Sequence, residues 1–122
     1  MSEETFMDLN SREKVCSRVM SYTVISGIGC FPMEEAGAYQ GGDLGVLQSV
    51  PTFAETADAG PVFAGMVRKG FEIEISFEQD VNEWEVTFGK KLGTDPTWTA
   101  FHPNFATAVA EAALMAIERQ TG

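Results

Sequence analysis

Residues 71–88, FEIEISFEQDVNEWEVTF, decide the fold. Phe71, Ile73, Ile75 and Phe77 alternate with Glu72, Glu74, Ser76 and Glu78; then Trp84, Val86 and Phe88 alternate with Glu83, Glu85 and Thr87. Successive side chains of a strand point to opposite faces, so each half reads as a strand with one apolar and one acidic side. Gln79 to Asn82 supply the turn, and the pair reads as an antiparallel hairpin that can keep one face in water.

The flanking sequence extends this hairpin into an α+β domain. Gly89 to Pro96 form a turn before a shorter strand around Trp98 to Phe101, which completes a three-stranded antiparallel meander. A last helix follows, with Asn104 as N-cap and Phe105, Val109, Ala112, Ala113, Ala116 and Ile117 at helical spacing. Ahead of the hairpin, a helix starts near Thr56 or Asp58, carries Pro61 in its first turn and stops at Gly70. Val62, Phe63, Met66 and Val67 form its buried face, and Arg68 and Lys69 fall in its last turn, where the helix dipole favours cations.

A first helix is expected from Asn10 or Ser11 to about Tyr22, with Glu13 completing a capping box, Val15, Val19 and Tyr22 inward, and Arg12, Lys14 and Arg18 in water. Thr23 to Phe31 is apolar but interrupted by Gly27 and Gly29; it reads as a short strand or an ordered loop, with the loop favoured. Gly37, Gly41, Gly42 and Gly45 mark a long loop at about 32–52. The expected element order is therefore α-α-β-β-β-α in a single domain over 10–122. Residues 1–9 read as a flexible lead-in.

At 122 residues the chain is one domain in size, and its apolar runs fall short of the ~20 residues a membrane-spanning helix needs. A net charge of −10 argues against direct binding to nucleic acid, which depends on Lys and Arg displacing counterions; a protein with a basic surface is the more natural partner. The acidic start MSEETFMDLN lacks the basic and apolar segments of a secretion signal. Cys16 and Cys30 read as reduced thiols, with a disulfide as the alternative.

Six carboxylates and no Lys or Arg lie between Phe71 and Gly89. Glu72, Glu74 and Glu78 on one strand and Glu83 and Glu85 on the next share a face, with same-face neighbours ~6.6 Å apart along each strand. Like charges facing each other across strands oppose pairing. The functional reading is a binding face for a basic partner; the simpler one is a solvated face that keeps a sheet edge from aggregating. An open strand face offers no cleft in which two carboxylates could divide acid and base roles. Cys16, Cys30 and His102 lack the close spacing of zinc ligands, and His102 before Pro103 reads as a turn residue. Neither the glycines from Gly27 to Gly45 nor Gly89-Lys90-Lys91 form a phosphate-binding loop, so no cofactor is expected. Arg68, Lys69, Lys90 and Lys91 lie at element ends that could converge on a small anion, with the Gly-rich loop as a lid. Trp84 reads as core; Trp98 is assigned to burial under the last helix, with an exposed partner anchor as the alternative.

Several segments together are similar to the phage ABA sandwich domain family of small phage proteins. They are Val19-Met20-Ser21-Tyr22, Phe53-Ala54-Glu55-Thr56-Ala57-Asp58-Ala59, Trp84-Glu85-Val86 and Thr107-Ala108-Val109-Ala110-Glu111-Ala112-Ala113-Leu114. The chain departs from the family pattern at Ser21-Tyr22, where Gly-Trp is usual, and at Gly60-Pro61, where an aromatic is usual. The resemblance implies a phage gene product in a bacterial cytoplasm and carries over no catalytic residue. It also implies a sheet covered by helices on both faces. The acidic side would then be only partly covered, or Arg12, Arg18, Arg68 or Arg119 would reach across it. The expectation is a non-catalytic accessory protein that binds a host or phage protein through its acidic face, with inhibition of a host system as a natural outcome. Sequestration of a small anionic ligand and a minor virion or assembly role are the alternatives. A homodimer is compatible with the exposed sheet edges.

Overall fold

The computed structural model describes residues 7–32, 48–90 and 96–121. Lys91 and most of the Gly-rich loop, residues 33–47, lie outside them. The described elements are α1 (Leu9–Lys14), continuing as a π-helical turn over Val15–Val19, β1 (Tyr22–Ile25), β2 (Gly29–Pro32), a 3-10 turn (Thr56–Asp58), α2 (Ala59–Arg68), β3 (Glu72–Glu78), β4 (Glu83–Gly89), β5 (Thr97–His102) and α3 (Phe105–Thr121). The fold is α+β, with the antiparallel sheet β3-β4-β5 and a separate hairpin of β1 and β2.

The first helix starts earlier than its sequence suggests. Asp8, not Asn10 or Ser11, is the N-cap, and its carboxylate accepts from the Ser11 N–H at 2.7 Å. Met7 just before it is buried, so the ordered chain reaches into the expected lead-in. Glu13 does not close a capping box. It accepts instead from the Gly27 N–H at 2.8 Å and the Ser26 hydroxyl at 3.2 Å, and so ties the β1–β2 turn to α1. Ser21 adopts a left-handed backbone (φ 62°) that ends the helical segment before Tyr22, and Tyr22 opens β1 rather than closing the helix. The expectation of a loop at Thr23–Phe31 is corrected: it forms a hairpin with Tyr22 opposite Pro32 and Ile25 opposite Gly29. Gly27 (φ 79°), the interruption that argued for a loop, makes the tight reversal.

Helix α2 follows the 3-10 turn and carries Pro61 in its first turn, where the missing N–H costs little. Gly70 (φ 90°) ends it in a Schellman arrangement: the Phe71 N–H donates to the Met66 carbonyl at 3.0 Å and the Gly70 N–H to that of Val67 at 2.9 Å. Its inner face is Ala59, Val62, Gly65 and Met66, with Phe63 half-buried; Val67, expected inside, is 60 % exposed. The face is rotated because Gly65 lets the helix meet the Val19 backbone, where a Cβ would lie 2.2 Å from the Val19 carbonyl oxygen.

Helix α3 is the centre of the core. It packs on β4 and β5 on one side and on α2 and the π-helical turn on the other. Ala106 through Ala110, Ala112 to Leu114 and Ala116 are all buried, so apolar residues run right around it, as expected of an enclosed helix. Asn104 caps it, its side-chain oxygen accepting from the Thr107 N–H at 3.0 Å. Thr107, fully buried, donates its hydroxyl to the Phe53 carbonyl at 2.6 Å. This fixes Phe53, itself in a left-handed conformation (φ 57°), over the end of the helix.

Candidate functional site

The register of the sheet lays out its two faces. Ile73 pairs with Phe88, Ile75 with Val86 and Phe77 with Trp84, while β5 sets Trp98 beside Phe88, Ala100 beside Val86 and His102 beside Trp84. This face meets α3. Trp84 packs edge-on to Phe105 of α3 and to Phe77, each with ring centroids 5.0 Å apart. Phe71 likewise meets Phe88 at 6.5 Å and Trp98 at 6.4 Å. Trp98 is thus half-buried, packed edge-on against Phe71.

On the other face the candidate residues Glu72, Glu74, Glu78, Glu83 and Glu85 are brought together. Glu72, Glu74 and Glu78 are exposed, and Glu83 and Glu85 are half-buried. At the hairpin end Glu78 stands directly opposite Glu83; the next row is Ser76, Glu85 and Phe101, and the next Glu74, Thr87 and Thr99. The charges therefore oppose each other less than their number suggests. Glu85 faces Ser76, whose hydroxyl donates to it at 3.3 Å, and Glu74 faces Thr87, which shares a 2.8 Å hydroxyl contact with Thr99. Glu78 and Glu83 are the pair directly opposed, a geometry that costs sheet stability.

The acidic face is open to solvent, and the described helices lie on the apolar side. Of the arginines that could have covered it, Arg12 donates to the Val50 and Pro51 carbonyls at 3.4 and 3.2 Å, and Arg18 pairs with Glu118 of α3 at 3.4 Å, as does Lys14 at 3.5 Å. Arg119 lines a cleft beside Asp8 and Glu111, and Arg68 is exposed in the last turn of α2. Phe101 of β5, beside Glu85 on the same face, is 51 % exposed. Sequence spacing offers Trp98 as the alternative exposed aromatic, whereas Phe101 is the aromatic on the acidic face. Extending the alternation to Trp98-Thr99-Ala100-Phe101 would have placed Phe101 with the glutamates.

The cationic alternative is organised differently. The Lys90 ammonium donates to the Lys69 carbonyl and sits 4.4 Å from the centre of the Phe71 ring, so it closes the C-terminus of α2. Lys69 and Lys90 thus meet through a backbone carbonyl. Two clefts of about 450 Å³ open elsewhere, one between α1 and the 48–58 segment and lined by Arg12, Glu13 and Asp58, the other beside Glu111. Burial raises the Glu111 carboxyl above its ordinary range, with His102 opposing the shift. Cys16 and Cys30 are free, buried thiols in contact with one another; desolvation and then the neighbouring Cys30 push Cys16 upward, and desolvation raises Cys30. Burial thus favours the protonated thiol at both. Among the described residues no three His, Cys, Asp or Glu side chains are grouped to hold a metal ion, and no helix is long and apolar enough to cross a membrane.

Compared with protein-family models, curated proteins and solved structures, the chain matches none.

Proposed function

We propose that this chain is a non-catalytic phage accessory protein that works in the bacterial host cytoplasm by binding a host or phage protein through its acidic sheet face. The binding reading rests on one observation: Glu72, Glu74, Glu78, Glu83 and Glu85 share a sheet face open to solvent, with Phe101 exposed beside Glu85 on the neighbouring strand. The phage assignment rests on the sequence resemblance. A face of one sign of charge on a chain of net charge −10 attracts basic surfaces and speeds their encounter. Phe101 adds an aromatic side chain of the kind that anchors interfaces. Occupying a surface that otherwise holds nucleic acid would inhibit a host system without any chemistry.

Retention of partners from bacterial lysate on the tagged chain, across a series of salt concentrations and with mass spectrometry of proteins and small molecules, tests this reading. A protein held in fixed ratio at low salt and shed as salt rises is the expected result. A retained metabolite with no protein would replace the reading with ligand sequestration.

A further inference from the structure

Strand β3 is the outer strand of the order β3-β4-β5, and β4 is the described element that packs along it. An edge strand presents a row of backbone N–H and C=O groups to any extended chain that can lie alongside. Native edges are commonly blunted by shortness, proline or charged side chains; β3 is seven residues of EIEISFE without proline, and its charges are three glutamates, which repel an acidic edge but not a basic one. Its two faces differ in chemistry. Ile73, Ile75 and Phe77 point to the side of α3, yet Ile75 and Phe77 each remain 40 % exposed, because α3 covers β4 and β5 and stops short of β3. On the other side stand Glu72, Glu74 and Glu78.

Resting on the binding reading above, we infer that β3 takes up an extended segment of the protein partner by strand addition, and that this segment alternates apolar residues with Lys or Arg. Its apolar side chains continue the sheet face beside Ile75 and Phe77, completing cover that α3 leaves open. Its basic side chains fall across from Glu72, Glu74 and Glu78, at the ~4.5–5.5 Å between Cβ atoms of directly opposed strand residues. Main-chain hydrogen bonds supply affinity and the alternating side chains specificity. A second copy of β3 fits the same edge less well. Antiparallel registers centred on Glu74, Ile75 or Ser76 keep the apolar faces continuous, but each sets at least one Glu directly across from a Glu.

The probe is a fluorescent, C-terminally amidated peptide in which four Lys alternate with three Val, measured by anisotropy at low salt against the full chain. Three controls accompany it: a peptide of the same composition with its Lys and Val in separate blocks, and two alternating peptides N-methylated at every Lys or at every Val. The alternating peptide should bind at least tenfold more tightly than the block peptide and at least tenfold more tightly than one of the N-methylated forms, and should slow amide exchange along β3. Glu74→Lys with Glu78→Lys, both at exposed positions, should weaken it by at least tenfold. Equal binding of the alternating, block and N-methylated peptides, lost with salt, would overturn strand addition while leaving the acidic-face reading standing. No binding of the alternating peptide at millimolar concentration would also overturn it, and the salt series on lysate partners would decide the broader reading separately.

Discussion

Gly65→Ala should destabilise the chain even though alanine is the better helix former. Gly65 lies in α2 with its backbone against the π-helical turn, and an added Cβ would stand 2.2 Å from the Val19 carbonyl oxygen, 3.0 Å from its carbon and 3.3 Å from the Met20 Cα. All three are backbone atoms, so no rotamer change relieves the clash, and α2 must move away from the turn. Overpacking of a close contact costs ~1–3 kcal/mol, and the upper end applies where backbone is the obstacle. Against it stands ~1 kcal/mol of helix propensity gained from Ala over Gly, leaving a net loss of ~2 kcal/mol. In a domain of this size that lowers Tm by roughly 5–10 °C. Gly60→Ala is the control: its Cβ meets nothing within 4 Å. The following Pro61 opposes a helical residue with a Cβ at position 60, so the propensity gain is offset and the change should stay within ~0.5 kcal/mol. Thermal and urea unfolding by circular dichroism measure both variants. A Gly65→Ala protein as stable as the parent, or no more affected than Gly60→Ala, would refute the packing of α2 on Val19.

Thr107→Val should cost ~1–3 kcal/mol in urea unfolding, because it leaves the buried Phe53 carbonyl without its 2.6 Å donor; Thr107→Ser, which keeps the hydroxyl, should lose less. Glu78→Lys turns the one directly opposed like-charge pair, Glu78 and Glu83, into an attractive one and should stabilise the hairpin by ~0.2–1 kcal/mol at low salt, a gain that shrinks as salt is raised. Burial raises the Glu111 carboxyl, so the folded chain holds that proton to higher pH than the unfolded chain does. Stability from this group is therefore full below the ordinary carboxylate value of 4.5 and declines as pH rises through the folded value. Glu111→Gln should flatten that decline in a series of melts from acid to neutral pH, and an unchanged slope would assign it to other groups.

Much of the fold was legible because alternation and helical period are local signals. The Phe71–Phe88 stretch placed both strands and their four-residue turn, and Asn104 marked the start of α3 through the hydrogen bond it makes with the Thr107 N–H. What was lost depended on distant neighbours. Val67 has the right spacing for the α2 core stripe, but Gly65 turns that face toward Val19 and leaves Val67 in water. Glu13 fits a capping box by spacing, yet the Ser26–Gly27 turn claims its carboxylate, and Asp8 takes the cap. Gly27 reads as an interruption of the apolar segment, whereas its positive φ makes the turn of the β1–β2 hairpin. The acidic face was legible residue by residue because a period of two fixes the side of every glutamate. Its openness was not, since that depends on where α3 lies and on what engages Arg12 and Arg18.

The most direct test of the central claim compares the parent chain with a variant carrying Glu72→Gln, Glu74→Gln, Glu83→Gln and Glu85→Gln, each first shown by circular dichroism to be folded, for retention of the same protein from bacterial lysate at low salt. Binding through the acidic face predicts that the partner held by the parent is lost from the variant, because these side chains supply the attraction and are not part of the core. Equal retention by a folded variant would contradict the account and place the interaction on another surface.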